Sequence, residues 1–239
     1  DVYKRQINPW ADWWTYRAIT EPEISLWQSD EMYYPIGADL IYHSFSHLNT
    51  AVSLGLRPLF GTLPAYNITI LLNYVLAGLS MYHLGRYMTG STVAGILAGI
   101  VFAFNSHNLY QSAHPVLVSI WCFPWMTLYL IRAVRENSAK LAIAAALFVL
   151  LGAATSTILV ILMVFWTSFL FLFMFFSAQY PRPPWRIVLV FGLISGLLVL
   201  PTAFPLLKDA VAGSNSDFII DPEESVRTDM ATFFIPHWY

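Results

Sequence analysis

The sequence predicts an all-α protein that crosses a membrane several times, and three observations carry the prediction. Of its 239 residues, 57% are hydrophobic and only 11% are charged, where a soluble domain carries about a quarter of its residues as Asp, Glu, Lys and Arg. The stretch 141–181 contains no charged residue, which is too long for one bilayer span and right for two. The arginines and lysines of the apolar body also fall in alternate loops only. Mean hydropathy is +0.59. These values exclude a soluble globular enzyme and a disordered chain, and a net charge of −2 excludes a basic nucleic-acid binder. The single cysteine, Cys122, lies in an apolar run, so neither an intramolecular disulfide nor a cysteine-cluster metal site can form.

From the N-terminus, Asp1 to Gln6 reads Asp-Val-Tyr-Lys-Arg-Gln, which resembles the translated end of a transposase adapter used in shotgun sequencing libraries. Residues 1–6 are therefore expected to be an artefact and are set aside as a tag would be. On that reading the chain is a piece of an assembled environmental sequence, cut at both ends. Residues 7–64 read as an outer loop. Within it, 38–56 predict a helix lying at the membrane interface, with Asp39, His43 and His47 at i, i+4 and i+8 on its wet face. Trp10, Trp13, Trp14, Trp27, Tyr33 and Tyr34 support that level, because clustered Trp and Tyr mark the headgroup region.

Six spans follow, at 65–84, 91–106, 115–134, 139–155, 157–177 and 187–207. Gly95 and Gly99 form a small-xxx-small pair that permits close helix contact. Gly152 and Thr155-Ser156-Thr157 mark the break inside the uncharged stretch. Pro201 and Pro205 are expected to kink or unwind the end of the last span. Residues 208–239 read as the start of a later outer loop.

Charge divides the same way. Residues 7–39 carry −5, residues 40–207 carry +6, and residues 208–239 carry −4. One set of loops holds Arg86, Arg132, Arg135, Lys140, Arg182 and Arg186, while the alternate loops, 106–114 and 155–156, hold no Lys or Arg. The basic set is expected on the cytoplasmic side of an inner membrane, which leaves both acidic ends on the outer face.

Several short motifs resemble those of a known group of enzymes. Tyr33-Tyr34-Pro35-Ile36-Gly37-Ala38-Asp39-Leu40 with His43 looks like a first outer loop. Ala65-Tyr66-Asn67 opens a span and Gly85-Arg86-Tyr87-Met88-Thr89-Gly90 closes it. Ala98 to Phe104 ends at Asn105, Trp121 to Trp125 opens the next apolar segment, and Thr228-Asp229-Met230-Ala231-Thr232-Phe233-Phe234-Ile235-Pro236 looks like a later outer loop. Together they resemble the N-terminal half of bacterial GT-C glycosyltransferases of the family 39 type, integral-membrane enzymes that use a sugar carried on a polyprenyl phosphate.

The resemblance implies transfer of that sugar to an acceptor at the outer membrane surface, with an acidic residue of the first outer loop as general base. It offers Asp12, Asp30 and Glu31 as bases, Asp12 first because it abuts Trp13 and Trp14. A base must reach the proton it takes and be charged at working pH. Arg57, Lys208 and Arg227 are the candidate partners of the leaving phosphate, whose charge needs a cation or a metal. Asp229, in the later-loop motif, is a further candidate for substrate binding. His114, with His107, Asn105 and Gln111, is placed either to hydrogen-bond a sugar or to cap helix ends. The chain departs from the family in lacking the first span, after which the family's usual acid lies, so a base upstream of residue 7 is the alternative to these three. The implied partners are membrane lipid, a polyprenyl-phosphate-linked sugar and an acceptor, with no nucleic acid.

From spacing alone, Asp39, His43 and His47 could hold a divalent metal. The alternative to an enzyme is a non-catalytic multi-span protein: a lipid-linked-sugar flippase, a transporter or an assembly scaffold. Spans 65–207 contain no acid at depth and show no repeat, which argues against ion-coupled transport and leaves a scaffold open.

Overall fold

The computed structural model describes residues 2–32, 35, 37–40, 46–112 and 114–212. Contacts divide the chain into residues 1–204 and 205–239, and the architecture below is that of the first unit. Among the described residues it is all-helical apart from one short hairpin, and five helices are long and apolar enough to cross a membrane. This is a multi-pass membrane protein.

The helix α1, Val2–Thr20, occupies much of what reads as loop in the sequence and runs through Pro9. Its Ala11 and Trp14 are buried, and Trp10 stacks on Trp14 with ring centroids 5.5 Å apart. Next, β1 (Gln28–Ser29) pairs antiparallel with β2 (Ala38–Asp39), Gln28 opposite Asp39. Gly37 turns the chain into β2 at φ +80°, where a Cβ would lie 3.1 Å from the Ser29 carbonyl oxygen. Any other residue would be strained there.

The expected interfacial helix over 38–56 is corrected in position. Ala38 and Asp39 are extended, held by the hairpin, and α2 runs from His47 to Phe60. It stops at Gly61, whose φ of +80° suits glycine and whose N–H donates to the Arg57 carbonyl at 2.9 Å.

The span boundaries follow the sequence closely. They are α3 (Thr62–Thr89), α4 with the short α5 (Thr92–Ala103 and Ser106–Tyr110), α6 with α7 (Pro115–Val118 and Cys122–Glu136), α8 (Ala139–Thr155), α9 (Thr157–Phe176) and α10 (Trp185–Ala212). Of the six expected spans, α8, at 17 residues, is not among the five helices long enough to cross a membrane. The break falls at Ser156, extended at φ −168°, whose hydroxyl accepts the Ile158 N–H to cap α9. At Pro201 and Pro205 the helix continues without unwinding.

The predicted small pair finds its partner in α3. A Cβ on Gly99 would lie 2.5 Å from the Gly78 carbonyl oxygen, and one on Gly95 would lie 2.9 Å from that of Tyr82. Backbones this close leave room for glycine alone. The core lies between α7 and α8, where Met126, Leu130, Ala133 and Val134 meet Ala142, Ala145, Ala146 and Val149. By contrast α9 and α10 present Phe165, Phe169, Phe176, Leu193 and Leu197 outward, the surface expected of helices facing lipid.

The loops with bases converge at one end. Arg135, in the last turn of α7, donates to the Tyr87 hydroxyl of α3 at 3.4 Å and stands 5.0 Å from the Tyr180 ring of the α9–α10 linker. At the other end α1 and α2 pack on α3 and near α6.

Candidate functional site

Helix α2 carries a polar stripe. Ser46 precedes it, and Asn49, Thr50, Ser53 and Arg57 then recur every three or four residues, which brings them to one face. That face points inward: Ser46, Asn49, Thr50 and Ser53 are all buried. On α3, Thr69 and Asn73 are buried one turn apart, and Ser119 and Trp121 come from the α6–α7 junction.

Asn73 joins the three elements. Its amide donates to Asn49 Oδ1 at 2.8 Å, and its Oδ1 accepts from Ser119 Oγ at 3.0 Å and Trp121 Nε1 at 2.9 Å. Asn49 Nδ2 in turn donates to Ser46 Oγ and Ser119 Oγ at 2.8 and 2.9 Å. Buried polar groups must be bonded, and here each side chain satisfies the next.

Asp12 completes this layer from α1. It is only 5% exposed, and its Oδ1 accepts from Thr50 Oγ1 at 2.6 Å. Its Oδ2 is buried and has no hydrogen-bond partner. Burial pushes its carboxyl above the ordinary value of 3.8, opposed by the hydroxyls of Thr50 and Ser53 and by the charge of Arg57. Asp12, Ser46, Asn49, Thr50, Tyr66 and Thr69 line a cavity of about 10 Å³, which is the size that admits a single water.

Arg57 lies one turn beyond Ser53, with its guanidinium 3.7 Å from the Tyr16 ring centroid. Its Nη1 is buried and also lacks a hydrogen-bond partner. Among the described residues no carboxylate comes within ion-pair distance of Arg57. The structure therefore brings one expected base and one expected phosphate partner to the same helix face, each with an unused polar atom.

The other expected residues disperse. Asp30 is exposed on the hairpin and does not line the cavity. Glu31 is exposed and paired with Arg17, Nη1 to Oε1, at 2.6 Å. Arg17 also holds Glu21 at 3.0 Å and stands 5.0 Å from the Trp13 ring. His114 occupies the N-cap position of α6, half-buried, without a side-chain capping bond. Capping at this end comes from Asn105, whose Oδ1 accepts the Asn108 N–H at 3.0 Å.

The expected metal triad fails as a helical face, because Asp39 belongs to β2 while His47 opens α2. His47 meets the Trp27 ring edge-on at 5.6 Å. The Asp39 side chain, His43, the Lys208 side chain, Arg227 and Asp229 lie outside the described residues. Among the described residues no cluster of three His, Cys, Asp or Glu side chains could hold a metal.

Sequence reasoning missed Asn49, Thr50, Ser53, Asn73 and Ser119. The signal was present as helical spacing of small polar residues in apolar context, but it is uncharged and follows a register one residue off the Asp39–His43–His47 series. No protein-family model, curated protein or solved structure matches this chain.

Proposed function

We propose that this chain is part of a membrane glycosyltransferase of the GT-C type, which moves a sugar from a polyprenyl phosphate to an acceptor at the membrane surface opposite the basic loops. One observation supports the reading above others: a buried carboxylate with an unused oxygen, Asp12, at the lining of a small cavity and under the charge of Arg57. Such a group costs stability, and costly buried charges with shifted titration concentrate where chemistry needs them. A raised carboxyl also suits a general base, whose optimum lies toward the working pH.

In the proposed step the acceptor hydroxyl gives its proton to Asp12 as its oxygen attacks the sugar's anomeric carbon. The bond from that carbon to the phosphate oxygen breaks, and the polyprenyl phosphate leaves with its charge offset by Arg57. Asp30 and Glu31 take no part. The basic loops face the cytoplasm on this reading, as their Lys and Arg bias favours.

The test is transfer of labelled sugar from a polyprenyl-phosphate donor in membranes holding the full chain. Asp12→Asn is expected to abolish transfer and Asp30→Asn to leave it unchanged. Full activity in Asp12→Asn sinks the reading. The small size of the cavity favours a second reading, a non-catalytic scaffold in which the polar layer only fixes helix register. Wild-type membranes inactive with every polyprenyl-phosphate sugar offered would support that reading.

A further inference from the structure

We propose that the basic end of the bundle binds the phosphate of an anionic phospholipid, seated on Arg135 between the last turn of α3 and the α9–α10 linker. This surface does not depend on the transferase reading, since it lies at the opposite end from Asp12. Three observations carry it.

The first is unspent charge. Residues 86–186 hold Arg86, Arg132, Arg135, Lys140, Arg182 and Arg186 against Glu136 alone, a net of +5. Glu136 is taken by Arg132, Nε to Oε1, at 3.0 Å. The other five have no carboxylate partner among the described residues. Helix dipoles do not supply the missing negative charge, because α3, α7 and α9 end here while α4, α8 and α10 begin here, and their partial charges offset.

The second is that Arg135 is held in place. Its guanidinium stands 5.5 Å from the Tyr87 ring and 5.0 Å from the Tyr180 ring, so two elements far apart in sequence position it. Tyr180 is itself anchored, its hydroxyl donating to Met88 Sδ at 3.9 Å. Aromatic contact orients a guanidinium without neutralising it, and apart from the Nη1 bond to the Tyr87 hydroxyl its donors are left for the oxygens of a phosphate.

The third is the level in the bilayer. Phe176 and Trp185 flank the same linker at 77% and 74% exposure, as aromatic residues do where acyl chains meet headgroups. Arg182, two residues beyond Tyr180, stands 5.4 Å from the Phe175 ring. A lipid whose chains lie on the apolar face of α9 would bring its phosphate to Arg135 and Arg182. Basic pockets between spans recognise lipid headgroups in this way.

The experiment is a thermal-unfolding series on the full chain in neutral detergent, with added phosphatidylglycerol, phosphatidylcholine or inorganic phosphate at matched ionic strength. Phosphatidylglycerol is expected to raise the midpoint by roughly 2–4 °C. The other two are expected to leave it unchanged, and Arg135→Gln to lose most of the rise. An equal rise with phosphatidylcholine, a rise with inorganic phosphate alone, or a full rise retained in Arg135→Gln overturns the proposal. If Arg135→Gln does not fold, the exposed Arg182→Gln is judged by the same criterion.

Discussion

The two ends of this bundle share α3 and α7 and manage polar groups in opposite ways. At one end Asp12, Asn49, Thr50, Asn73 and Ser119 are withdrawn from solvent and bonded to one another across α1, α2, α3 and the α6–α7 junction. At the other, Arg86, Arg135, Lys140, Arg182 and Arg186 stay exposed, touching aromatic rings or solvent. The basic end has the greater formal charge, yet far less stability rests on it. Exposed charges keep their hydration, whereas a buried amide or carboxylate has only the partners the fold provides.

Substitutions can be ranked by that contrast. The largest effect is expected from Asn73→Leu, which keeps the branched shape but orphans Asn49 Oδ1 and Trp121 Nε1 together, while Ser119 Oγ keeps its bond to the Pro115 carbonyl. Each orphaned buried group costs about 1–3 kcal/mol, so a loss of about 3 kcal/mol or more is expected in the unfolding free energy. A midpoint near that of the wild type would show that water enters and repairs the layer.

Asp12→Asn comes next and has the opposite sign. Because burial raises the Asp12 carboxyl above 3.8, the folded state binds more protons than the unfolded state as pH climbs from that value. Wild-type stability therefore falls with rising pH through this window, and the asparagine variant escapes the fall. A denaturation series from acid to neutral pH should find the variant less pH-dependent and more stable than the wild type at neutral pH. Identical pH profiles would place the Asp12 carboxylate in contact with water.

At the basic end, Arg135→Gln removes two ring contacts and a long, exposed hydrogen bond to the Tyr87 hydroxyl and should cost about 1 kcal/mol or less. Arg132→Gln, which breaks the exposed pair with Glu136, should cost about 0.5 kcal/mol or less. Differential scanning calorimetry of both would blur the contrast if either matched Asn73→Leu.

The features legible in the sequence are those set by the solvent. Span boundaries, the break at 155–157 and the alternation of bases all follow from apolar length and charge placement, and the structure keeps them. The pair Gly95 and Gly99 was legible as a contact, though its partner on α3 was not. The region before α3 was harder. Its helix α1 has a weakly apolar composition interrupted by Pro9, and the hairpin depends on Gly37, so neither shows a clear period. The site was half legible: Asp12 and Arg57 stood out as charges, but nothing in their spacing of 45 residues indicated one helix face. Thr50, which bonds Asp12, and the Asn49–Asn73–Ser119 cluster beside it carry no charge and so leave no mark in the charge pattern. The prolines of α10 are expected to kink or unwind its end; the helix runs on through both positions, since in an apolar solvent its remaining hydrogen bonds have no water to replace them.

The close approach of α3 and α4 has a consequence for how the protein is made. Their backbones meet at Gly78 and Gly99, and the two helices are joined only through Gly90 and Ser91. Contacts so local in sequence form early. As the chain emerges from the ribosome, this hairpin can enter the bilayer as a finished unit before α7 and α8 have been synthesised. It then offers a template of fixed shape on which the later helices assemble.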